Sequence, residues 1–380
     1  MIIGIDGNEA NVKNRVGTGV YTLELLQQFH HLSLRGAERR GNLFQIFLKE
    51  KPLADLPLET QNFMYKIFGP KKFWTQFALP IKLTVGKKPD VFFSPAHYGP
   101  RFSKVPYVVT IHDLSYLRFP ELFRKEDLVQ LTNWSKYSIL KSKAIIVPSK
   151  STKDDILKNY SMEPDKITVI YEGYDKEAFK PQTAAVISAV KKKYKITGDY
   201  IVFVGTLQPR KNIERLIEAF SLVNGKWKMV NGGLNLVIVG KKGWMYDQIL
   251  QKSNELGIED KVIFTDFVPD NDLPSLISGA KVYVNPSLWE GFGIPVVEAQ
   301  ACGVPVAVSN SSSLPEIVGD SGALFDPTDV NAITSALGNL LTNAKTRSDL
   351  VKKGHENLKR FSWEACAEQT LLVLTKFASK

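Results

Sequence analysis

The sequence predicts an α/β protein built from two doubly wound, Rossmann-like domains. Continuous apolar runs, typical of buried parallel strands, alternate with segments of helical periodicity. This alternation occurs twice, and residues 174–200, whose composition differs, separate the two series. The 380 residues are enough for two domains that each bury a core of their own.

The first series contains six predicted strands and two clear helices. The strands are residues 2–6, 44–48, 91–94, 107–112, 144–148 and 168–171, and the helices are 20–32 and 128–142. No basic segment precedes the run at 2–6, so this run predicts a first strand rather than a signal peptide. In such sheets ligands bind beyond the carboxyl ends of the strands.

Residues 174–200 are predicted to be an interdomain linker with a polar helix, and the second series follows them. Its strands are residues 200–204, 234–239, 262–264, 281–284 and 305–308, and its helices are 213–222, 245–256, 272–278 and 330–341. These elements predict a second doubly wound domain. Ser313, after the last of these strands, is predicted to cap a helix.

The positive charge of the chain is concentrated in its first 150 residues. They hold 22 Lys and Arg against 12 Asp and Glu, whereas the remaining residues hold 27 of each. This asymmetry predicts an anionic partner for the first domain, such as phosphates or an anionic membrane surface. Nucleic acid is excluded as a partner, because no zinc pattern or RNA-binding aromatic motif accompanies the charge.

No apolar run approaches the roughly 18 residues of a membrane helix. The two cysteines, Cys302 and Cys366, show no metal-ligand spacing. Together these features predict a reduced, cytoplasmic protein.

Residues 71–80 mix lysines with aromatic residues, and two interpretations stay open. In one, Lys71, Lys72 and nearby lysines rest on anionic headgroups while Trp74 and Phe77 enter the membrane surface. The protein is then peripheral to the inner face of the membrane. In the other, the segment is a core helix with solvated lysines.

Three short motifs stand where a predicted strand ends or a predicted helix begins. Gly17 and Gly19 precede the first helix, where a phosphate can approach the backbone, with a plain loop as the alternative. His112 and Asp113 end the strand 107–112, and a structural pair is the alternative.

The third motif opens the second domain. Gly205 ends its first strand, and Arg210 and Lys211 stand just before the next helix. A guanidinium fork beside an ammonium group is well suited to hold a diphosphate, whereas an isolated Arg-Lys pair is more often a surface feature.

Residues 290–305 are the most specific stretch of the chain. Two carboxylates, Glu290 and Glu298, are eight positions apart, and a strand, a glycine loop and a helix follow one another here. Between the carboxylates lie Gly291, Gly293 and Pro295. The helix start offers unpaired N–H groups, which favour an anion. Glu290 is predicted to lie at the ligand, and Glu298 to accept hydrogen bonds from hydroxyl groups about one turn into the helix. A tight turn with two solvated glutamates is the alternative.

The stretch resembles the Glu-x7-Glu signature of the retaining glycosyltransferases of family 4. Residues 205–212 match the Gly-x4-Arg-Lys-Asn pattern of the same family, although Thr206 stands where many members have arginine. The resemblance implies the GT-B fold, with two Rossmann-like domains facing across a cleft. The implied domains are an acceptor-binding domain at 1–175 completed by a C-terminal helix at 362–380, a linker at 176–199, and a nucleotide-sugar-binding domain at 200–361.

The resemblance also implies roles for individual residues. The catalytic residues it implies are His112, Arg210, Lys211 and Glu290, and Asp113 is placed on the acceptor side. The implied donor-binding residues are Gly17, Gly19, Gly205, Phe267, Val268, Gly291, Phe292, Gly293 and Glu298. Among these, Glu298 is expected to hold the ribose, and Phe267 and Val268 to lie beside the base.

The implied reaction moves a hexose from a nucleotide diphosphate sugar to a hydroxyl of a glycan or lipid-linked acceptor, with retention. Residues 205–212 look most like those of bacterial mannosyltransferases of surface polysaccharide synthesis, so GDP-mannose is the first expectation and UDP-sugars stay open. No cofactor or metal is expected, because side chains and helix ends supply the positive charge. Two alternatives remain: a nucleotide-sugar epimerase of the same fold, and a catalytically silent glycan- or membrane-binding module.

Overall fold

The computed structural model describes residues 1–35, 41–227 and 233–378, which form two compact units. The first unit comprises Met1–Pro120, Lys125–Gly173 and Ser362–Lys380, and the second comprises Glu121–Arg124 and Tyr174–Phe361. Each unit contains one parallel sheet flanked by helices, so the predicted α/β class with two Rossmann-like domains is confirmed.

The sheet of the first unit has seven parallel strands in the order β3-β2-β1-β4-β5-β6-β7. These strands are β1 Ile2–Asp6, β2 Leu43–Leu48, β3 Phe63–Ile67, β4 Val91–Ser94, β5 Tyr107–Thr110, β6 Ala144–Val147 and β7 Ile167–Val169. The central strands β4, β5 and β6 are buried along their whole length, as apolar runs covered on both faces should be. The edge strand β3 is half-buried and was missed by the sequence-based prediction.

The helices of the first unit include one from each end of the chain. They are α1 Thr18–Arg35, α2 Leu79–Lys82, α3 Ser115–Arg118, α4 Lys125–Lys141, α5 Lys150–Asn159 and α14 Trp363–Phe377, with a π-helix at Trp74–Ala78 before α2. The chain leaves the sheet through Gly173, which packs under the start of α14. A Cβ on this glycine would lie 2.2 Å from the backbone nitrogen of Trp363, so no larger residue fits there.

The sheet of the second unit has six parallel strands in the order β10-β9-β8-β11-β12-β13. These strands are β8 Asp199–Val204, β9 Leu234–Val239, β10 Val262–Phe264, β11 Val282–Asn285, β12 Val306–Ser309 and β13 Gly322–Phe325. Its helices are α6 Ala184–Lys193, α7 Ile213–Trp227, α8 Asp247–Glu255, α9 Leu273–Ser278, α10 Ile294–Ala301, α11 Leu314–Val318, α12 Val330–Thr342 and α13 Ala344–Asn357.

The segment predicted as a linker, residues 176–199, is part of the second unit. Its helix α6 places Val190 in the same apolar cluster as Tyr200 and Leu276, and Ile196 joins them. Residues 184–199 are therefore packed structure, and the chain passes from the first unit to the second between Gly173 and Tyr174. Within the described residues, no helix combines the length and apolar character that spanning a membrane requires.

Candidate active site

Three loops meet at the carboxyl ends of adjacent strands in the second unit. One follows β8 and contains a short 3-10 turn, Pro209–Lys211. The second follows β11 and leads into α10, and the third follows β12. Because β8, β11 and β12 are neighbours in a parallel sheet, their loops share one edge, which is the edge where ligands bind in such sheets.

Glu290 lies at the centre of these loops, with its carboxylate bound by two cations. Lys211 Nζ donates to Oε1 at 2.5 Å, and Arg210 Nη1 donates to Oε2 at 3.2 Å. The hydroxyl of Ser287 also donates to Oε1, at 2.7 Å. The structure thus brings together three predicted catalytic residues, Arg210, Lys211 and Glu290, in one ion network.

The charge state of Glu290 follows from these contacts. Its side chain is only 9% exposed, and burial alone would raise the pKa of the carboxyl. Lys211 and Arg210 outweigh the burial and lower the pKa to about 2. Glu290 is therefore ionised at neutral pH, and two cations around one carboxylate leave a net charge of +1.

Asn212 fixes the turn that carries the two cations. It has a positive φ of 58° and is buried, and its side-chain amide donates to the carbonyls of Pro286 and Pro327, at 3.0 and 2.7 Å. These carbonyls belong to the loops after β11 and β13. In addition, the N–H of Leu288 donates to the carbonyl of Arg210 at 3.0 Å. The Arg-Lys turn is thus anchored before any ligand arrives.

A run of serines after β12 holds the loop that carries Glu290. Ser312 Oγ accepts from the backbone N–H of Glu290 at 2.8 Å, and Ser311 Oγ donates to the carbonyl of Leu288 at 2.6 Å. Ser313 Oγ lies 3.0 Å from the carbonyl of Glu290. Ser313 occupies the predicted N-cap position of α11, but its side chain makes no capping bond there. In the sequence, the run of serines at 311–313 is the one feature that points to these hydrogen bonds.

The helix α10 begins directly after the glycine loop. Gly293 has a φ of 102° at its N-cap, and no side chain caps the helix. Pro295 has no N–H, and the N–H of Val296 donates to the carbonyl of Gly293 at 2.9 Å, so the first turn presents few N–H groups to the loop. Glu298 is the fifth residue of α10 and is half-buried. The buried Tyr283 on β11 faces both Glu290 and Glu298, and burial followed by these two charges raises the pKa of its hydroxyl well above the usual value. Both carboxylates therefore lie near the end of β11.

Phe292 contributes only backbone to this loop. Its ring is buried and packs edge-on against Phe361, with centroids 5.6 Å apart. The expected donor contact of Phe292 is thereby restricted to its main chain, because the ring belongs to the core of the second unit.

The loops after β8 and β9 pack together on the side predicted for the nucleotide. A Cβ on Gly240 would lie 2.0 Å from the carbonyl oxygen of Gly205, so this contact requires glycine. Val268 lies with its side chain in the core, which leaves only its backbone for a base, and Phe267 is half-buried.

His112 lies in the first unit, after β5, with both ring nitrogens engaged. Its Nε2–H donates to the carbonyl of Pro95 at 2.9 Å, and Nδ1 lies 3.3 Å from Glu172 Oε1. Burial by itself would lower the pKa of His112, but the hydrogen bond and charge of Glu172 outweigh it and raise the pKa. Glu172, which the sequence did not single out, therefore holds the His112 ring in place and favours its protonated form.

Asp113 and the glycine loop of the first unit have local structural roles. Asp113 Oδ1 accepts from the N–H and the hydroxyl of Ser115, at 2.9 and 2.6 Å, and so begins α3. The N–H of Gly19 donates to the carbonyl of Val16 at 3.0 Å. The expectation that Gly19 offers this N–H to a phosphate is not met in this conformation. Gly17 is exposed, with a φ of 48°.

The Glu172–His112 pair predicts a pH-dependent loss of stability in Glu172→Gln. The pKa of His112 in the folded state lies above its unfolded value of 6.5. The stabilisation that the Glu172–His112 pair contributes is therefore complete below about pH 6.5 and is lost as pH rises through the folded-state pKa. We expect the free energy of unfolding of the variant to be about 2 kcal/mol lower than that of the native protein at pH 5.5. At pH 8.5 the difference should be clearly smaller, because the Glu172 carboxylate of the native protein is then buried beside a neutral imidazole ring.

Urea unfolding at both pH values measures this effect, with Glu163→Gln on the surface as the matched control. The groups that face His112 are Glu172, Asp113, the edge of Tyr21 and the neutral His97, whose pKa burial lowers to about 4. A destabilisation equal at both pH values would show that the pair does not hold His112 charged.

No group of three or more His, Cys, Asp and Glu side chains arranged for a metal ion is found within residues 1–35, 41–227 and 233–378. Arg210 and Lys211 are the two cationic side chains that contact Glu290.

Comparison with known protein families gives two matches that together span most of the chain. The profile described as "Glycosyltransferase Family 4" matches residues 48–178, and that described as "Glycosyl transferases group 1" matches residues 187–357. The second match includes every residue of the Arg210–Lys211–Glu290 network.

Individual relatives support the same assignment. The chain is 33% identical over 355 residues to the O-antigen chain mannosyltransferase B of Escherichia coli, covering 93% of this chain and 88% of the relative. Among solved structures, sucrose-phosphate synthase from Thermosynechococcus elongatus is similar with a TM-score of 0.75 and 20% identity, over 99% and 98% of the two chains. Anabaena HepE in complex with UDP and glucose gives a TM-score of 0.75 and 18% identity, over 98% and 99%.

Proposed function

Because the chain belongs to the family of group 1 glycosyl transferases, which have the GT-B fold, we propose that this glycosyltransferase moves mannose from GDP-mannose to a hydroxyl of a glycan acceptor, with retention and without a metal. The observation that carries the proposal is the Arg210–Lys211–Glu290 network beside the uncapped start of α10. The mannosyl assignment is supported by the relative named as an O-antigen chain mannosyltransferase.

The network suits the departure of a nucleoside diphosphate. Negative charge grows on the diphosphate as its bond to the sugar breaks, and fixed positive groups stabilise this charge without reorganisation. Glu290 holds Arg210 and Lys211 side by side, while the net charge of +1 and the positive end of the α10 helix dipole favour the anion. In this proposal Glu298, which is half-buried on α10, accepts hydrogen bonds from the ribose hydroxyls.

Donor turnover with and without an acceptor tests this proposal. We expect the purified protein to hydrolyse GDP-mannose slowly and to transfer mannose to methyl α-D-mannopyranoside or mannobiose, giving an α-linked product by NMR. Rates with UDP-glucose and UDP-N-acetylglucosamine should be lower. EDTA should leave the rate nearly unchanged, because Arg210 and Lys211 supply the charge.

Other outcomes would each remove a part of the proposal. A preference for a UDP-sugar would replace the donor, a β-linked product would contradict retention, and a need for Mg²⁺ or Mn²⁺ would contradict metal independence. Conversion of the nucleotide sugar without an acceptor would support an epimerase, and absence of any turnover a binding module.

We also propose that the first unit binds an anionic membrane surface. From the residue before the π-helix to the third residue after α2, four apolar side chains at intervals of four residues are exposed. They are Phe73, Phe77, Ile81 and Val85, at 53%, 61%, 63% and 65% exposed. We call these four residues the apolar ridge. The ridge is flanked by lysines at positions 72, 82, 87 and 88.

The other face of the same segment corrects one detail of the sequence-based expectation. Trp74 is 4% exposed, stacks on Phe68 at 5.1 Å and donates its indole N–H to the Phe68 carbonyl at 3.1 Å. Trp74 is therefore core, whereas Phe77 is exposed. The charge of Lys71 is partly offset by Glu50 at 2.9 Å. The core interpretation applies to the face that carries Trp74, and the membrane proposal rests on the exposed face.

Removing the apolar ridge is expected to weaken membrane binding. The double variant Phe77→Ser/Ile81→Ser should reduce binding to vesicles of phosphatidylglycerol and phosphatidylcholine by roughly tenfold or more, because burying such side chains contributes about 1.5–3 kcal/mol each. Native binding should also fall at high salt, since lysines near an anionic surface contribute about 1 kcal/mol each.

Co-sedimentation measures both effects, and Leu372→Ser, an exposed apolar site on α14, is the control. Equal binding to neutral and anionic vesicles, or a double variant that binds like the native protein, would contradict the membrane proposal and leave the transferase proposal intact.

A further inference from the structure

A cavity of about 330 Å³ lies in the first unit at the amino ends of two neighbouring strands. Tyr107, the first residue of β5, lines it, and so does Lys143, which stands just before β6. The volume falls within the range of about 300–1,000 Å³ that small-molecule sites occupy. Substrates of doubly wound sheets bind at the opposite, carboxyl edge, so the cavity is separate from the transfer site.

Three lysines and no acidic residue line this cavity. The lysines are Lys104, Lys141 and Lys143, and we call them the lysine cluster. Within residues 1–35, 41–227 and 233–378, none of their ammonium groups makes a hydrogen bond or an ion pair with a carboxylate. The lining therefore has an excess of positive charge that its own side chains do not neutralise.

The lysine cluster is not needed to complete the helix beside it. Lysines near the end of a helix often serve its last carbonyls. At the end of α4 this role belongs to Lys166, whose Nζ donates to the carbonyls of Ile139 and Leu140 at 3.0 and 3.1 Å. Lys141 and Lys143 follow these carbonyls in the chain and make no such bond. Their ammonium groups are therefore available to a ligand.

The grouping of these cations is unfavourable for the fold in the absence of an anion. Burial, followed by the charge of Lys143, lowers the pKa of Lys166. A bound anion would offset this repulsion between like charges. The cluster thus has the electrostatic character of a binding site rather than of a stabilising surface network.

The remaining wall of the cavity is apolar and held in place. Val105, Pro106 and Phe377 line it, and Phe377 is the half-buried last residue of α14. Ser103 Oγ accepts from the N–H of Val105 at 3.1 Å, and the carbonyl of Pro106 accepts a backbone hydrogen bond from β4 at 2.9 Å. Lys104 is therefore carried on a fixed loop. Cations beside an apolar wall suit an anion that has a carbon skeleton.

We propose that this cavity binds a small phosphate ester, with the phosphate on the lysine cluster and the carbon skeleton against Phe377. A phosphate monoester carries a charge of about −1.5 to −2 at neutral pH, which three ammonium groups can neutralise. The site goes beyond the proposed transfer reaction and does not depend on it. A soluble ester and a lipid headgroup share this chemistry, and the experiments below distinguish the two sources.

Calorimetry with phenyl phosphate tests the proposal, with GDP present in excess to occupy the Arg210–Lys211–Glu290 network. We expect phenyl phosphate to bind more tightly than inorganic phosphate. The double variant Lys141→Gln/Lys143→Gln should weaken this binding roughly tenfold or more, because it removes two charge-assisted contacts. Phe377→Ala should abolish the preference for the phenyl ester. Lys158→Gln, an exposed site on α5, is the charge-matched control and should bind as the native protein does.

Thermal unfolding distinguishes a ligand site from a structural role of the lysines. Without ligand, the double variant should be at least as stable as the native protein, because it relieves the repulsion on Lys166. Phenyl phosphate should raise the Tm of the native protein and not that of the variant. Equal binding by both proteins, or an equal loss in Lys158→Gln, would overturn the proposal. A variant that is less stable without ligand would show that the lysines serve the fold, and would also overturn it.

Vesicles that contain phosphatidic acid identify the source of the phosphate. They are best tested in the Phe77→Ser/Ile81→Ser protein, which lacks most of the apolar ridge. If the lysine substitutions lower the remaining vesicle binding, the ligand is a lipid headgroup. If they abolish phenyl phosphate binding and leave vesicle binding unchanged, it is a soluble ester. Lysine-dependent phosphate binding in a protein that turns over no nucleotide sugar would support the cavity and overturn the transferase alone.

Discussion

Lys211→Ala is expected to lower kcat by at least about a hundredfold while leaving the fold intact. Its ammonium group is one of two cations placed for the leaving diphosphate, and such charge-assisted contacts are typically worth about 3 kcal/mol in the transition state. The loss has a second cause. Glu290 would then be buried with Arg210 as its one remaining cation partner among the contacts above, so the two side chains would no longer be held in a fixed orientation.

A double-mutant cycle shows whether Lys211 and Glu290 act as one unit. Glu290→Gln alone should cost a similar factor, and the double variant should lose little more than either single variant. Lys192→Ala, on the exposed side of α6, should have normal activity. Nearly native turnover in Lys211→Ala would remove the role given to the network, and fully additive losses would show that Glu290 acts on the substrate independently.

The buried parallel strands were the part of the fold that the sequence predicts best. Strands β4 and β9 have the predicted bounds, because a strand covered on both faces is a continuous apolar run. The edge strands β3 and β13 were missed. Each pairs on one side only and is partly exposed, so its residues do not need to be uniformly apolar.

The charged residues of the site were predicted, but most of their partners were not. Arg210, Lys211 and Glu290 carry recognisable spacing, whereas the hydrogen bonds of Asn212 and the serines at 311–313 depend on which loops meet at the sheet edge. Glu172 illustrates the limit most clearly. It is distant from His112 in sequence, and only the pairing of β5, β6 and β7 brings the two together.

The role of Glu290 also differs from the sequence-based expectation in its immediate contacts. The sequence predicts that Glu290 lies directly at the ligand. In the structure its two carboxylate oxygens accept hydrogen bonds from Lys211, Ser287 and Arg210. Its first effect is therefore to orient cations, and any contact with the sugar would be added to this.

Glu298→Ala is expected to weaken donor binding, with a loss of about a hundredfold in kcat/KM for the nucleotide sugar. A carboxylate that accepts two ribose hydroxyls makes charge-assisted hydrogen bonds, each worth about 1.5–3 kcal/mol. The half-buried position on α10 excludes part of the water that would otherwise replace them. Because the ribose does not change during transfer, the loss should fall on KM more than on kcat, in contrast to Lys211→Ala.

Calorimetry with GDP and with mannose 1-phosphate distinguishes a ribose contact from a general disturbance of the site. In Glu298→Ala, GDP affinity should fall by a factor close to the loss in kcat/KM, whereas any binding of mannose 1-phosphate should be unchanged, because this ligand has no ribose. Glu298→Gln should lie between the two proteins, and the exposed Glu259→Ala should match the native one. Unchanged GDP affinity combined with a reduced kcat would instead place Glu298 at the reacting sugar, since only a contact that strengthens in the transition state lowers kcat without weakening nucleotide binding.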